Sequence, residues 1–327
     1  MIAPVTTARL MSSDSSASSL LDTVFAWRDS SVGSESVLTD RMDGRQISLL
    51  DQSIRPYLPE SYPDFPRDAN VGDVAADAVL PPAAHLVYFP SHTAEPELAP
   101  DGYHADEAPP PPFVQRVWAG GLIEFSPSNP LRVGHPTTQT KTIKAVDIKE
   151  RSSADPLVLV KLCLDMRNDS GQCVTEYRDL AYMVPTNLQR KIVTYNKQSD
   201  FSHTLTPSEI LLFRYSALSW NSHRIHYDAP YACGIENHPN LLVHGPLTCT
   251  LLLQLLQSHM PVGMALKSFD YRAISPLYCG QPLSLNGRWL GPDSAGEPSR
   301  CELWVENNEG GVSMKGVATI VGLQPSA

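Results

Sequence analysis

Residues 213–228 read FRYSALSWNSHRIHYD, residues 244–259 read HGPLTCTLLLQLLQSH, and the organisation of the whole chain follows from these two stretches. In the first, Asn221, His223 and His226 stand close together in sequence. In the second, a Gly-Pro pair opens an apolar run, and proline is favoured at the first position of a helix. Proton-handling side chains beside the free N–H groups of a helix N-terminus are what chemistry at a carbonyl needs.

Strand-like runs surround the two stretches and fall into two groups of the same order. Each group has a P-L-x-x-G-x-P segment (residues 130–136 and 276–282), an alternating strand, and two long strands joined by a polar Asn/Gly turn. This agreement favours an internal duplication. The predicted strands are TIKAVDIKE, PLVLVKLCLDMR and CVTEYRDLAYMV in the first copy, and GMALKSFDYR, PLSLNGRWL, RCELWVEN and GVSMKGVATIV in the second.

The remaining segments give weaker signals. A helix is predicted over TPSEILLFRYSALS, with Thr206 as its N-cap. Residues 55–136 are rich in proline, which predicts no long helix and no central strand there. Residues 1–20 are Ser-rich and predicted to be disordered, and a helix such as LLDTVFAWRD follows.

The spacing Y-S-A-x-S-x-N-x-H-x-I-H-x-D, which ends at Asp228, resembles the signature of the MaoC-like hydratases of the hotdog fold. With LLVHGPL after it and WAGG at residues 118–121, it resembles the branch of two-hotdog enzymes that includes mesaconyl-C4-CoA hydratase, itaconyl-CoA hydratase and mitochondrial 3-hydroxyacyl-thioester dehydratases. The resemblance covers residues 80–322 and implies an α+β double hotdog, with two antiparallel sheets and a long central helix in the C-terminal unit. The implied division is an irregular, partly disordered acidic extension (1–74), an N-terminal hotdog (75–188) and a catalytic hotdog (196–323).

The resemblance also implies roles for individual residues. His226 is the expected acid and base, since its unperturbed pKa lies near neutrality. Asn221 stands where most MaoC-like hydratases have an aspartate, so it is expected to position water, with a structural turn as the alternative. Gly245 is expected to donate its N–H to the thioester oxygen. The expected substrate-binding residues are Arg116, Trp118, Tyr215, Trp220, His223, Arg224 and His244.

Within that branch, the predicted function is hydration or dehydration across C2–C3 of a short dicarboxylic acyl-CoA, such as itaconyl-CoA or mesaconyl-C4-CoA. A second carboxylate must be neutralised once it is buried, and an arginine fork suits it best. Arg224 is the first candidate for this contact and Arg116 the second. The alternatives are a 3-hydroxyacyl-ACP dehydratase of mitochondrial fatty-acid synthesis, a non-catalytic acyl-binding hotdog protein and a thioesterase.

Composition limits the partners. Residues 1–112 hold 17 Asp and Glu against 6 Lys and Arg, and the other 215 residues hold 18 against 19, so no dense basic face for nucleic acid is indicated. Six scattered cysteines favour reduced thiols in an intracellular protein over a disulfide framework or a zinc site. No apolar run is long enough to span a membrane. The sequence thus predicts no metal and no cofactor, with the coenzyme A thioester as substrate. It also predicts a homodimer and a cytoplasmic location, with a mitochondrial one as the alternative.

Overall fold

The computed structural model describes residues 13–70, 72–151, 154–184, 192–290 and 300–323. Ten strands form one antiparallel sheet in the order β1-β3-β4-β5-β2-β7-β10-β9-β8-β6. The strands are β1 (Glu35–Arg41), β2 (Gln115–Phe125), β3 (Pro136–Arg151), β4 (Ala154–Asn168), β5 (Gly171–Met183), β6 (Phe201–Leu205), β7 (Met264–Ala273), β8 (Leu283–Trp289), β9 (Arg300–Glu306) and β10 (Val312–Gly322).

The described helices are short, apart from the first and the last. They are α1 (Ser13–Ser31), α2 (Gly44–Ile54), α3 (Glu209–Leu218), α4 (Ala229–Gly234) and α5 (Gly245–His259). Single 3-10 turns at Ala84–Val87 and Arg224–His226 matter for the site. Ser208 caps α3, because its hydroxyl accepts the N–H of Leu211 at 3.1 Å, so the predicted cap at Thr206 is wrong.

The strand order shows the duplication that the sequence predicted. Outward from the centre, one half runs β2-β5-β4-β3-β1 and the other runs β7-β10-β9-β8-β6. The halves meet where β2 pairs with β7, in a register that sets Gly121 opposite Tyr271. Both halves therefore belong to one continuous sheet, and the site between them is built by both.

Helix α5 fills the second half. Its residues from Leu247 to Leu256 are all buried, and it packs against β6, β8 and β9. A helix that a curved sheet surrounds is expected to be apolar on every side. Gln254, a polar residue within this buried stretch, donates to the carbonyl oxygen of Pro82 at 2.6 Å, which ties α5 to the first half. In the first half, the described chain between α2 and β2 has only short 3-10 turns, of which Ala84–Val87 is the longest.

The central strand β2 depends on two glycines. A Cβ atom on Gly121 would lie 2.0 Å from the carbonyl oxygen of Tyr177, and one on Gly120 would lie 2.5 Å from that of Tyr271. Both have φ between +146° and +155°, which side chains disfavour. The register shift next to Trp118 is a β-bulge that re-aims this side chain. The prediction of no central strand within residues 55–136 is wrong, since β2 itself contains no proline.

The N-terminal extension is more regular than the sequence predicted. Strand β1 pairs with β3 along its whole length and forms one edge of the sheet. Helix α2 packs against α3 and against the turn Ala84–Val87. Residues 1–12 lie outside the described residues, and α1 already begins at Ser13, within the stretch predicted to be disordered. Among the described helices, none combines the length and the apolar character needed to cross a membrane.

Candidate active site

A cavity of about 460 Å³ lies between the two halves. The 3-10 turn Arg224–His226 and the start of α5 form one end of its wall. Strands β3, β4 and β5 of the first half form another part, together with Ser36 and Leu38 of β1. Of the residues predicted from sequence, the lining includes Arg116, Trp118, Trp220, Asn221, His223, His226 and Gly245.

His226 ends the 3-10 turn Arg224–His226 and is buried at the cavity wall. Its Nδ1 lies 2.9 Å from the carbonyl oxygen of Leu242, so Nδ1 carries the proton and Nε2 is left as the basic nitrogen. Burial, reinforced by the nearby His223, lowers the pKa of His226 to about 3. The ring is therefore neutral, and the lone pair of Nε2 is unprotonated.

His244 and Tyr215 lie behind His226, and neither lines the cavity. The His244 ring stacks on that of His226 with centroids 3.6 Å apart, and its Nε2 lies 2.8 Å from the hydroxyl of Ser216. Tyr215 is fully buried with its ring 5.1 Å from His244. Burial holds the pKa of His244 well below its usual value. The structure therefore gives these two residues a supporting place instead of the predicted contact with substrate.

The N-terminus of α5 meets the cavity beside His226, because Gly245 follows His244 directly. No side chain among the described residues caps this terminus. Its free N–H groups and partial positive charge suit an oxygen that becomes negative during a reaction. Trp118 packs closely on Gly245, since a Cβ atom there would lie 3.2 Å from the Trp118 Cβ. The Trp118 ring is fixed in turn, because its Nε1 donates to the Tyr271 hydroxyl at 2.7 Å.

Asn221 faces the cavity from the loop before the catalytic turn. Its Oδ1 accepts the backbone N–H of His223 at 3.0 Å, and its own N–H donates to Ser216 at 2.9 Å. The amide can still donate from Nδ2, so both the turn role and the water-positioning role remain compatible with this geometry. Trp220 precedes it with φ at +52° and a side chain that is 68% exposed, at the mouth of the cavity.

His223 lies in a cluster of charged groups that the sequence did not indicate. Its Nε2 is 3.4 Å from Oδ2 of Asp101 and 3.7 Å from Oε1 of Glu236. Its ring meets that of His226 edge to face, with centroids 5.6 Å apart. Burial alone would raise the pKa of Glu236, but the neighbouring imidazoles of His223 and His238 hold it at about 2. Asp101 and Glu236 thus both lie beside Nε2 of His223.

Residues 99–104, which precede β2 in the first half, form hydrogen bonds with the loop at residues 222–224. The carbonyl oxygen of Asp101 accepts the N–H of Arg224 at 2.8 Å, and that of Gly102 accepts the hydroxyl of Ser222. Gly102 has φ at +83°, and a Cβ atom there would lie 2.4 Å from the carbonyl oxygen of Ser222. This loop requires glycine both for its conformation and for its close approach.

We expect Gly102→Ala to reduce turnover by at least about tenfold, because a displaced catalytic loop misplaces His226 and small misplacements are costly. Steady-state kinetics checks this, with kcat and KM measured separately. Gly263→Ala is the matched control, since Gly263 has φ at +81° and nothing within 4 Å of the added Cβ. Equal effects of the two substitutions would contradict the proposed contact.

The cations of the site are already paired. In the described part of the chain, the Arg and Lys side chains that line the cavity are Arg116, Lys141 and Arg178. Arg116 lies 3.0 Å from Asp101, Arg178 binds Glu176 through two nitrogens, and Lys141 pairs with Glu107. Arg224 is outside the lining, because its guanidinium binds Asp228 at 2.7 Å and lies over the ring of Tyr231. Arg224 is thus not placed to hold a substrate carboxylate.

One group of possible metal ligands occurs among the described residues. It comprises His104, Asp106 and Glu107, whose ligand atoms lie within 4.8 Å of one another. The ammonium group of Lys141 pairs with both carboxylates, so a positive charge already lies where a metal ion would bind. The three residues therefore form an ion-pair cluster with Lys141, and the absence of a bound metal remains a prediction from the sequence.

Comparison with known proteins identifies the family. The family model of hydroxyacyl-thioester dehydratase type 2 matches residues 83–279, which is more than half of the chain. The chain belongs to this family. A mesaconyl-C4-CoA hydratase of Chloroflexus aurantiacus is 33% identical over 66% of the chain and 78% of its own length. A mitochondrial hydroxyacyl-thioester dehydratase type 2 of Schizosaccharomyces pombe is 30% identical over 76% and 88%. The chain is accordingly an enzyme of the hydro-lyase class.

Solved structures confirm the hotdog architecture of this dehydratase family member. A MaoC-like dehydratase of Phytophthora capsici has a TM-score of 0.63 at 16% identity, covering 94% of this chain and 99% of that one. A Mycobacterium tuberculosis protein described as a double hotdog has a TM-score of 0.57 at 12% identity, covering 90% and 97%. At these identities the likeness shows the fold alone, and it confirms the predicted α+β double hotdog.

Four charged residues that support the site through ion pairs were not predicted from the sequence. Asp101, Glu107, Glu236 and Arg178 gave no motif or periodicity that could have distinguished them from solvated charges. Asp101, Glu107 and Glu236 acquire their places from contacts with other segments of the chain, whereas Arg178 is held by Glu176 on its own strand. The local signature, in contrast, did find His226, Asn221 and Gly245 at the cavity wall.

Proposed function

We propose that this chain adds water to, and removes water from, the C2–C3 bond of an acyl-CoA. The observation that supports the proposal most directly is the placement of a neutral His226 beside the uncapped N-terminus of α5. In dehydration, Nε2 of His226 takes the proton from C2, and in hydration it returns that proton to C2 after water has attacked C3. The N–H of Gly245 and the helix dipole stabilise the negative charge that forms on the thioester oxygen. Asn221 orients the water.

The family supports two substrate classes for this chemistry. The relative named mesaconyl-C4-CoA hydratase supports the short dicarboxylic thioester predicted from the sequence. The relatives named hydroxyacyl-thioester dehydratase support the second candidate, an uncharged 3-hydroxyacyl chain. The paired state of Arg116, Arg178 and Lys141 favours the second candidate, because none of these cations lacks a carboxylate partner.

The apolar side chains that line part of the cavity also favour an uncharged acyl chain. Beyond Trp118, the lining includes Leu162, Leu164 and Met166 on β4, and Leu38 on β1 completes this wall. Apolar side chains stabilise a buried hydrocarbon chain and oppose a buried charge. We therefore expect the acyl chain to extend across the first half, which has a single helical turn where the second half has α5.

A panel of thioesters tests both the function and the substrate class. Crotonyl-CoA, a longer 2-enoyl-CoA, mesaconyl-C4-CoA and itaconyl-CoA are incubated with the full chain, and mass spectrometry detects one added water. Free thiol is measured in parallel, since its release would indicate a thioesterase instead. Hydration of no substrate would overturn the proposed function. Preference for mesaconyl-C4-CoA, lost on Arg116→Met, would establish the dicarboxylate as substrate and Arg116 as its anchor.

The location of the protein is proposed on the same basis. Two yeast relatives are named as mitochondrial proteins, which supports the mitochondrial alternative over the cytoplasmic prediction. Microscopy of the full chain with a C-terminal fluorescent tag distinguishes the two.

A further inference from the structure

We propose that His223 is a second catalytic residue, which gives its proton to the hydroxyl group that leaves C3 during dehydration. The inference rests on the proposed function and names a group for a proton transfer that Asn221 cannot perform. Dehydration moves two protons, one from C2 and one to the departing hydroxyl. An amide at position 221 neither accepts nor releases a proton, so a single histidine would have to carry both.

The structure places a second histidine at the required position. His223 lines the cavity next to His226, and their rings meet edge to face at 5.6 Å. His244 is even closer to His226, but its Nε2 is bound to Ser216 and it does not reach the cavity lining. Of the two histidines that contact His226, His223 is therefore the one that can reach a substrate.

The groups around His223 suit a proton donor. Asp101 and Glu236 approach its Nε2 from different halves of the sheet, at 3.4 Å and 3.7 Å. Arg116 holds Asp101 at 3.0 Å, and His238 lies 3.6 Å from the other oxygen of Glu236. Neighbouring carboxylates fix the orientation of an imidazole. Because Nε2 faces Asp101 and Glu236, we assign the exchange of the proton with substrate to Nδ1.

The two histidines then have complementary states. Burial and the nearby His223 lower the pKa of His226, so His226 is the neutral partner of the pair. Neutral His226 takes the proton from C2, the electron pair forms the C2–C3 double bond, and the C3–O bond breaks. Protonated His223 gives its proton to the departing hydroxyl, which leaves as water. One proton is gained by His226 and one is lost by His223, so solvent restores both without another reactant.

A substrate whose leaving group needs no proton tests this assignment. For 3-hydroxybutyryl-CoA, His223→Ala is expected to lower the rate of dehydration by about a hundredfold, the scale of general acid catalysis. For 3-chlorobutyryl-CoA, which releases chloride, the same variant should lose only a few-fold, because chloride departs without protonation. His226→Ala should lose both reactions, since both begin at C2. His203→Ala, on the edge strand β6 and outside the cavity lining, is the matched control, and it should leave the ratio of the two rates unchanged.

The alternatives give different results. Equal losses of both reactions in His223→Ala would show a structural role for the residue and overturn the inference, as would full dehydration activity. Circular dichroism and thermal unfolding of His223→Ala and of the conservative variant His223→Gln show whether the fold is retained. A wild-type chain that releases chloride but never water would overturn the proposed function, and the inference with it.

Discussion

Replacing His226 by alanine is expected to lower turnover by at least about a hundredfold, the scale of a lost general acid–base group. The Nδ1 contact to Leu242 leaves Nε2 as the group that exchanges the proton, and no other described side chain offers a neutral imidazole at that point of the cavity wall. Steady-state kinetics with the best substrate of the thioester panel measures the loss. The variant should fold, because the space it leaves borders the cavity.

Asn221→Ala is the comparison for this experiment. It removes an amide that accepts the N–H of His223 and that we propose orients water, but it removes no proton carrier. Its loss of turnover should be clearly smaller than that of His226→Ala. A larger loss for Asn221→Ala would invert the two roles. Retention of more than a tenth of the wild-type rate by His226→Ala would remove His226 from the mechanism.

The largest effect on stability is expected for Glu176→Gln. Glu176 is fully buried, and its carboxylate accepts two hydrogen bonds from the Arg178 guanidinium, at 2.7 and 2.8 Å. His85 lies 3.3 Å from the same carboxylate. Burial alone would raise the pKa of Glu176, but Arg178 and His85 hold this pKa at about 2, so the carboxylate is charged. Its neutralisation leaves the Arg178 guanidinium, whose side chain is 20% exposed, without its carboxylate partner, which costs up to about 3–5 kcal/mol.

Urea unfolding of the two chains measures this change in the free energy of unfolding. Asp147→Asn is the control, since Asp147 and Lys161 form an ion pair at 3.0 Å whose side chains are nearly half exposed. That substitution should cost less than about 1 kcal/mol. Adding Arg178→Met to Glu176→Gln should recover much of the loss, because the unpaired charge is then removed as well. If the two single variants prove equally stable, the buried pair is not the cause.

The signature stretch and the helix after it carry their information locally, which is why the sequence could predict them. A Gly-Pro opening and a run of leucines define α5 without reference to the rest of the chain, and the helix begins at Gly245 as predicted. The repeated order of strands likewise needs only alternation and turn residues. The hydrophobic pattern was less informative where a proline-rich segment precedes a strand, so β2 was missed, and the short edge strands β1 and β6 were missed as well.

Ion pairing was the part of the site that the sequence could not determine. An arginine beside the catalytic histidine, Arg224, looked suitable for a substrate carboxylate, but its near neighbour Asp228 binds it instead. Asp101 and Glu236 belong to segments far apart in the chain, yet both approach His223. Charge partners follow from which segments the sheet brings together, and a charged residue in sequence carries no mark of its future partner.

The sequence by itself thus determined the repeated order of strands, the long helix at Gly245 and the motif that holds His226 and Asn221, because periodicity and a short motif are properties of neighbouring residues, and the resemblance of that motif implied the double hotdog. Only the tertiary structure decided which of these side chains reach the cavity, which cations stay free, and that residues 35–54 complete the sheet edge and pack on α3. Those features depend on contacts between distant segments and on burial, and both exist only after the two halves have joined along β2 and β7.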